Sequence, residues 1–270
     1  MNIRPAWQRP DILLLLMAAA VPLSFASWQA LLNNFAIEAA AFTGREIGIL
    51  QSLREIPGFL AFGVVFLLLL FREQTLAYIA LLLLGLGTAV TGFFPTVVGL
   101  YITTVVMSVG FHYYETLQTS LTLQWIDKGR SAETLGRLIA AGSFAAILSF
   151  VLIWFSADVL HLGFKWQYLV MGGMTVLIAL GVWLLFPSFP QHTEQHKHMV
   201  FRQRYWLYYL LTFLSGARRQ IFVVFAGFLM VEKFGFGVSD IALLFLVNAS
   251  INVLFAARIG RFIALVGERR

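Results

Sequence analysis

The chain runs through about eight apolar stretches, each about 19 to 28 residues long, with mostly short breaks between them. A membrane-spanning helix needs about 20 consecutive, mostly apolar residues. This repeated length constrains the fold more than any other feature. A bilayer interior offers backbone N–H and C=O groups no partner, and a helix satisfies them within one segment. The stretches predict helices at about 11–34, 46–71, 75–94, 97–124, 133–157, 167–187, 205–231 and 240–258. The breaks are polar or carry Pro or Gly, as at Arg72-Glu73-Gln74, Phe94-Pro95, Asp127-Lys128-Gly129-Arg130 and Glu232 to Asp240. The expected fold class is an all-α integral membrane protein with about eight transmembrane helices.

Composition agrees. Hydrophobic residues make up 60% of the 270 and charged residues only 12%, against about 45–50% and about 25% in soluble domains. A net charge of +6 on a soluble protein would invite a nucleic-acid partner. Here the placement of the cations gives a better account, and no nucleic acid is expected. With the N-terminus inside, the inner segments hold Arg4, Arg9, Arg72, Lys128, Arg130, Arg137, Lys197, Arg202, Arg204, Arg258, Arg261, Arg269 and Arg270. The outer loops hold Arg45, Lys165 and Lys233, and Arg54, Arg218 and Arg219 fall inside helices. That bias is the one expected of a cytoplasmic N-terminus. The first apolar run continues to about Phe35, longer than a signal-peptide core, so it is read as a retained helix.

The chain has no cysteine, which excludes disulfides, thiolate metal sites and cysteine nucleophiles. His192, His196 and His198 lie in the longest break, about 188–204, but their spacing fits no compact ligand set. A solvated linker is the expectation, with no metal. No Gly-rich phosphate loop, H-E-x-x-H or G-x-S-x-G is present, so neither an enzyme nor a cofactor is expected.

Six helices, a long inner loop and then further helices is a layout that resembles the major facilitator superfamily of transporters. Gly129-Arg130-Ser131-Ala132-Glu133-Thr134-Leu135-Gly136-Arg137 is similar to the basic loop and small-residue start of the family's fifth helix. Gly260, Gly267 and Arg269 match the family's inner-loop pattern G-x-x-x-D-[RK]-x-G-[RK]-[RK], whereas Ala264, Leu265 and Glu268 do not. The corresponding loop Phe71-Arg72-Glu73-Gln74 has lost the pattern, which puts its loop-locking role in doubt. A faint repeat pairs Ala26-Ser27-Trp28-Gln29 with Ala217-Arg218-Arg219-Gln220, as parallel halves would. The resemblance implies a six-helix N-terminal bundle over 1–187, a cytoplasmic central loop over 188–204, and over 205–270 the first two helices of a second bundle with a motif-like inner loop. A whole family member has twelve helices, so the chain would correspond to the first eight. A complete eight-helix protein of another type is the other reading.

Charges inside a bilayer are expensive, at about 2.5–3.5 kcal/mol each on insertion scales, and usually face a cavity or one another. The candidates are Arg54 and Glu55 on helix 2, His112 and Glu115 on helix 4, and Arg218 and Arg219 on helix 7. In the family, helices 1, 2, 4, 5, 7 and 8 line the cavity while 3 and 6 face lipid. Ser108, His112, Glu115, Thr119 and Thr122 recur at helical spacing and predict one polar face. Glu115 lies about 15 Å from the inner end, at about 1.5 Å per residue. It suits a proton-coupling carboxylate or a permanent ion pair. Arg54 and Glu55 diverge by about 100°, so each is expected to have a partner elsewhere, with Arg54–Glu115 and Glu55–Arg219 the plausible pairs. Pro57 is expected to kink helix 2. Tyr208, Thr212, Ser215 and Arg219 form a polar stripe on helix 7. Arg219, with Arg218 less well turned, suits an anionic solute or an ion pair with a glutamate. Gln29, Asn248 and Asn252 are further binding candidates, although such amides often join helices instead.

The expected function is a secondary active transporter that moves a small solute by alternating access, with protons as the coupling ion. The alternative is a non-transporting membrane-embedded binding or scaffold protein. Short loops suggest a bacterial inner membrane, with the bilayer and a small solute as partners.

Overall fold

The computed structural model describes residues 5, 7–190 and 202–266, with side chains throughout except at 128–129, 132, 212–213, 215–224, 252 and 255–266. Regular structure among the described residues is entirely helical. The long helices are α1 (Pro10–Glu38), α2 (Gly44–Leu67), α3 (Glu73–Thr91), α4 (Val97–Trp125), α5 (Lys128–Asp158), α6 (Phe164–Leu185), α7 (Trp206–Phe234) and α8 (Val238–Val266). Each predicted helix has its counterpart. By length and hydropathy α1 to α6 can cross a membrane. The 29 residues each of α7 and α8 extend about 43 Å, well beyond a hydrocarbon core of about 30 Å. The chain is an integral membrane protein.

Local chemistry sets the ends. Pro10 opens α1, where its missing N–H is not needed. Thr43 and Glu46 form a capping box at the start of α2, with the Thr43 N–H donating to the Glu46 carboxylate at 3.0 Å. Gly235, at φ +68°, ends α7 in the left-handed region, where a side chain would be strained.

Three boundaries depart from expectation. α2 is α-helical over Gly44–Phe59, turns 3-10 over Leu60–Gly63, and is α-helical again over Val64–Leu67. The break follows Pro57, which removes a donor, and Gly58, which holds a helix weakly. α5 begins at Lys128 rather than 133, so the stretch read as a basic loop forms its first turns. There Ser131 Oγ donates back to the Asp127 carbonyl at 3.0 Å, and Glu133 pairs with Arg137 at 2.7 Å. α8 continues to Val266, so Gly260 to Val266, expected in an inner loop, are helical. The run Phe262-Ile263-Ala264-Leu265 contains no breaker strong enough to stop it.

α1 is the central post. Trp28, Leu31 and Phe35 are fully buried, and α1 packs against α3, α4, α5 and α6. Ser24 Oγ donates to Thr175 Oγ1 at 2.8 Å, and that hydroxyl donates to the Ala20 carbonyl at 2.9 Å, joining α1 to α6. α3 meets its neighbours through glycine: a Cβ at Gly110 of α4 would overlap the Leu84 backbone, and one at Gly172 of α6 the Ala89 backbone. Small residues at such crossings let membrane helices approach closely.

The α7–α8 hairpin rests on the first six helices near its turn. Phe228, Val231, Ile241 and Ala242 are buried there, and Asn34 Nδ2 donates to the Phe236 carbonyl at 2.8 Å. Toward the opposite ends Trp206, Tyr208, Leu211, Val253 and Leu254 are exposed.

Candidate functional site

A cavity of about 910 Å³ lies between the first six helices and the hairpin. Its lining comes from Gln29 of α1, from Gly136 to Phe150 of α5, from Ala226 to Met230 of α7 and from Ile241 to Val253 of α8. The Phe150 and Phe245 rings meet across it at 5.5 Å. Two predicted binding residues, Gln29 and Asn248, share this wall. The side chains of Arg218, Arg219, Asn252, Thr212 and Ser215 lie outside the described residues, as do His192, His196 and His198. Tyr208 is exposed. α3 and α6 contribute no described lining residue, but neither do α2 and α4, which were expected to; nor does α3 simply face lipid, since Leu76, Ala77, Leu81 and Leu84 are buried against α1, α4 and α6.

The charged residues form a separate cluster between α1, α2 and α4. Arg54 is 6% exposed, and its guanidinium donates to Glu55 Oε1 from Nη2 at 2.5 Å and from Nε at 3.1 Å. The two neighbours, expected to neutralise each other only in part, are thus bonded directly to each other. The arginine stem is long enough to bend back across the angular gap between neighbours, and the Trp28 ring supports the guanidinium from 5.8 Å. Ser108 Oγ of α4 donates to the Arg54 carbonyl, tying α4 to α2. One turn further on, His112 is half-buried over Gly58, where a Cβ would stand 2.8 Å from the imidazole Cε1. Phe111 stacks on Phe25 of α1 with centroids 4.0 Å apart and meets His112 edge-on at 5.0 Å. Arg54, Glu55 and His112 thus share one aromatic-walled niche.

The predicted stripe on α4 is not one uniform face. Ser108 and Thr122 are buried, His112 is half-buried, and Glu115 and Thr119 are exposed. Thr116, Thr119 and Thr122 donate to the carbonyls of His112, Glu115 and Gln118 at 3.1, 3.3 and 2.7 Å. Their hydroxyls are satisfied by their own helix, which explains their tolerance in an apolar segment.

Sequence reasoning missed two features. Ser143, Phe144 and Gly227 join the cavity wall; the only signal was the small-residue run Ala140-Ala141-Gly142-Ser143 on α5. The second is at the loop after α2, where Gln74 Oε1 accepts from the Phe189 N–H at 2.9 Å and Gln74 Nε2 donates to the Pro187 carbonyl at 2.9 Å. Arg72 reaches Ser188 Oγ at 3.1 Å, and Gln124 donates to the buried Glu73 carboxylate. Arg72 and Gln74 thus strap the chain leaving α6 onto the start of α3. No group of three or more metal-ligating residues occurs among the described residues.

No protein-family profile matches the chain, and no curated protein matches it in sequence. Solved structures match in fold. A mutant of the nucleoside transporter NupG superposes with a TM-score of 0.75 at 14% identity, over 95% of this chain and 68% of that one. A bacterial homologue of the human lysosomal transporter Spinster, in an inward-facing and unoccupied conformation, gives 0.72 at 11% identity, over 97% and 63%. The POT family transporter PepTSo gives 0.52 at 18% identity, over 91% and 55%. The chain therefore shares its fold with these three transporters and spans 55–68% of their length.

Proposed function

We propose that the chain forms the first part of a secondary active transporter that moves a small solute by alternating access. The observation that carries this reading is the cavity, whose wall is drawn both from the first six helices and from the α7–α8 hairpin. A solute bound there touches two groups of helices that can rock about it. In this reading residues 1–187 form one bundle, 188–204 a cytoplasmic linker and 205–270 the start of a second bundle. The cation distribution supports a cytoplasmic N-terminus, and a bacterial inner membrane fits the short loops. Gln29 and Asn248 contact solute, joined by Asn252, Arg218 and Arg219. Protons are the coupling ion, with Glu115 on the open face of α4 as carrier and the Arg54, Glu55 and His112 niche as its relay or structural counterweight.

The test uses the full-length natural gene product in proteoliposomes with an imposed pH gradient and a panel of solutes. Gradient-driven accumulation of a solute is expected. Glu115→Gln is expected to lose accumulation while keeping solute exchange without a gradient. Unchanged accumulation in that variant removes Glu115 from coupling. Absence of all flux, together with a stable protein partner, favours the scaffold alternative.

A further inference from the structure

We infer that the cavity takes an uncharged, amphipathic solute with a flat apolar face, held along its polar edge by the two side-chain amides, Gln29 and Asn248. The inference rests on the transporter reading of the same cavity and adds the substrate class. Among the described lining residues, Gln29, Ser143 and Asn248 are the polar side chains, and none is charged. An ion entering this space loses hydration and meets no described counter-charge, a penalty of several kcal/mol that an uncharged solute escapes. Arg54 and Glu55 lie on α2, are bonded to each other at 2.5 Å and are not among the described lining residues.

The remaining wall sets the shape. Phe144 of α5, 71% exposed, is available to an apolar face, and the Phe150–Phe245 pair supplies a second aromatic surface. A planar apolar ring gains from such walls by offset or edge contacts. Each amide offers two donors and one acceptor oxygen, which suits a carboxamide, hydroxyl or neutral heterocycle edge. Gln29 stands on α1 and Asn248 on α8, so one polar edge bonded to both draws the two groups of helices together. A volume near 910 Å³ falls within the range of about 300–1,000 Å³ typical of small-molecule sites. The opposite expectation, an anionic solute held by Arg219, is what the experiment separates from this one.

The probes share one skeleton and differ in charge: N-acetylphenylalanine amide is neutral, N-acetylphenylalanine is anionic and phenylalanine amide is cationic. Binding to the detergent-solubilised full-length natural protein is measured by titration calorimetry. The neutral probe is expected to bind, and the two ions to bind at least about tenfold more weakly. Asn248→Leu and Gln29→Leu are each expected to weaken the neutral probe about tenfold. Asn248→Asp is expected to shift the preference toward the cation. A tighter anion, no binding of the neutral probe at millimolar concentration, or neutral binding untouched in both amide variants overturns the inference. Either amide variant carries this last comparison if the other does not fold. Binding of the neutral probe without its flux in proteoliposomes keeps the solute class and removes the transporter reading.

Discussion

Arg54 is a cation nine-tenths buried in a membrane helix, and its environment answers each part of that cost. Glu55 supplies charge, Trp28 supplies a ring face, and Ser108 anchors the backbone at the same residue. Breaking one side of a buried pair is worse than replacing both sides, because the survivor is left uncompensated. Glu55→Gln is therefore expected to lower thermal stability in detergent by about 1–2 kcal/mol, a figure kept small because the Glu55 side chain is 41% exposed. The double variant Arg54→Met with Glu55→Gln is expected to recover part of that loss. A double variant less stable than the single would show that Arg54 is held mainly by other contacts. The presence of these charges on helix 2 was legible in the sequence. Their pairing was not, because it depends on how a flexible arginine folds over a neighbouring helix, and residue spacing does not record that.

At the scale of elements, the eight helices were legible because lipid imposes the same length on every one. The broken stretch of α2 at Leu60–Gly63 and the continuation of α8 to Val266 were not, since both turn on a balance between local breakers and packing. The strap after α6 is the clearest case of a contact hidden from sequence. Gln74 bonds the backbone at Pro187 and Phe189, and Trp125 packs edge-on against Phe189 at 5.2 Å. Gln74→Leu removes these two bonds and a third, from Gln74 Nε2 to the Tyr78 hydroxyl at 2.7 Å, and loss of bonds to buried groups costs about 1–3 kcal/mol. Faster proteolysis within 188–204 and a change in tryptophan emission are expected. An unaltered cleavage rate would mean that the strap is held by Arg72 and the aromatic contacts alone. The crossing of α3 and α4 makes a second element-scale prediction. Gly110→Ala places a methyl group against the Leu84 backbone, and overpacking of this kind costs about 1–3 kcal/mol. Thermal unfolding in detergent reads that loss directly, and a stability equal to the parent would mean that the two helices can separate freely.

For the whole molecule, the proposed transport turns on which contact must open for a solute to pass. Near its turn the α7–α8 hairpin is pinned to α1, with Asn34 bonded to the Phe236 carbonyl and Gly227 set against the Asn33 amide, while its far ends stand open. Alternating access requires the pinned side to part and the open side to close. The 270 residues contain no cysteine, so a pair of introduced thiols reports this motion without interference from these residues. A Cβ at Gly227 would stand 2.8 Å from Asn33 Nδ2, which places Asn33→Cys and Gly227→Cys within reach of each other. Disulfides need Cβ atoms about 3.5–4.5 Å apart, and with the Gly227 Cβ position 4.0 Å from Asn33 Cγ the bond calls for a small approach of the two helix backbones. In the full-length protein carrying both substitutions, oxidation is expected to stop counterflow of the neutral probe across proteoliposomes, and a reductant to restore it. Binding of the probe from the open side is expected to weaken yet persist on oxidation, because the bond alters the wall at Gly227 but leaves it intact from Gly136 to Phe150 and from Ile241 to Val253. Full flux through the oxidised protein would place the moving boundary elsewhere and leave the α1–α7 contact as fixed packing.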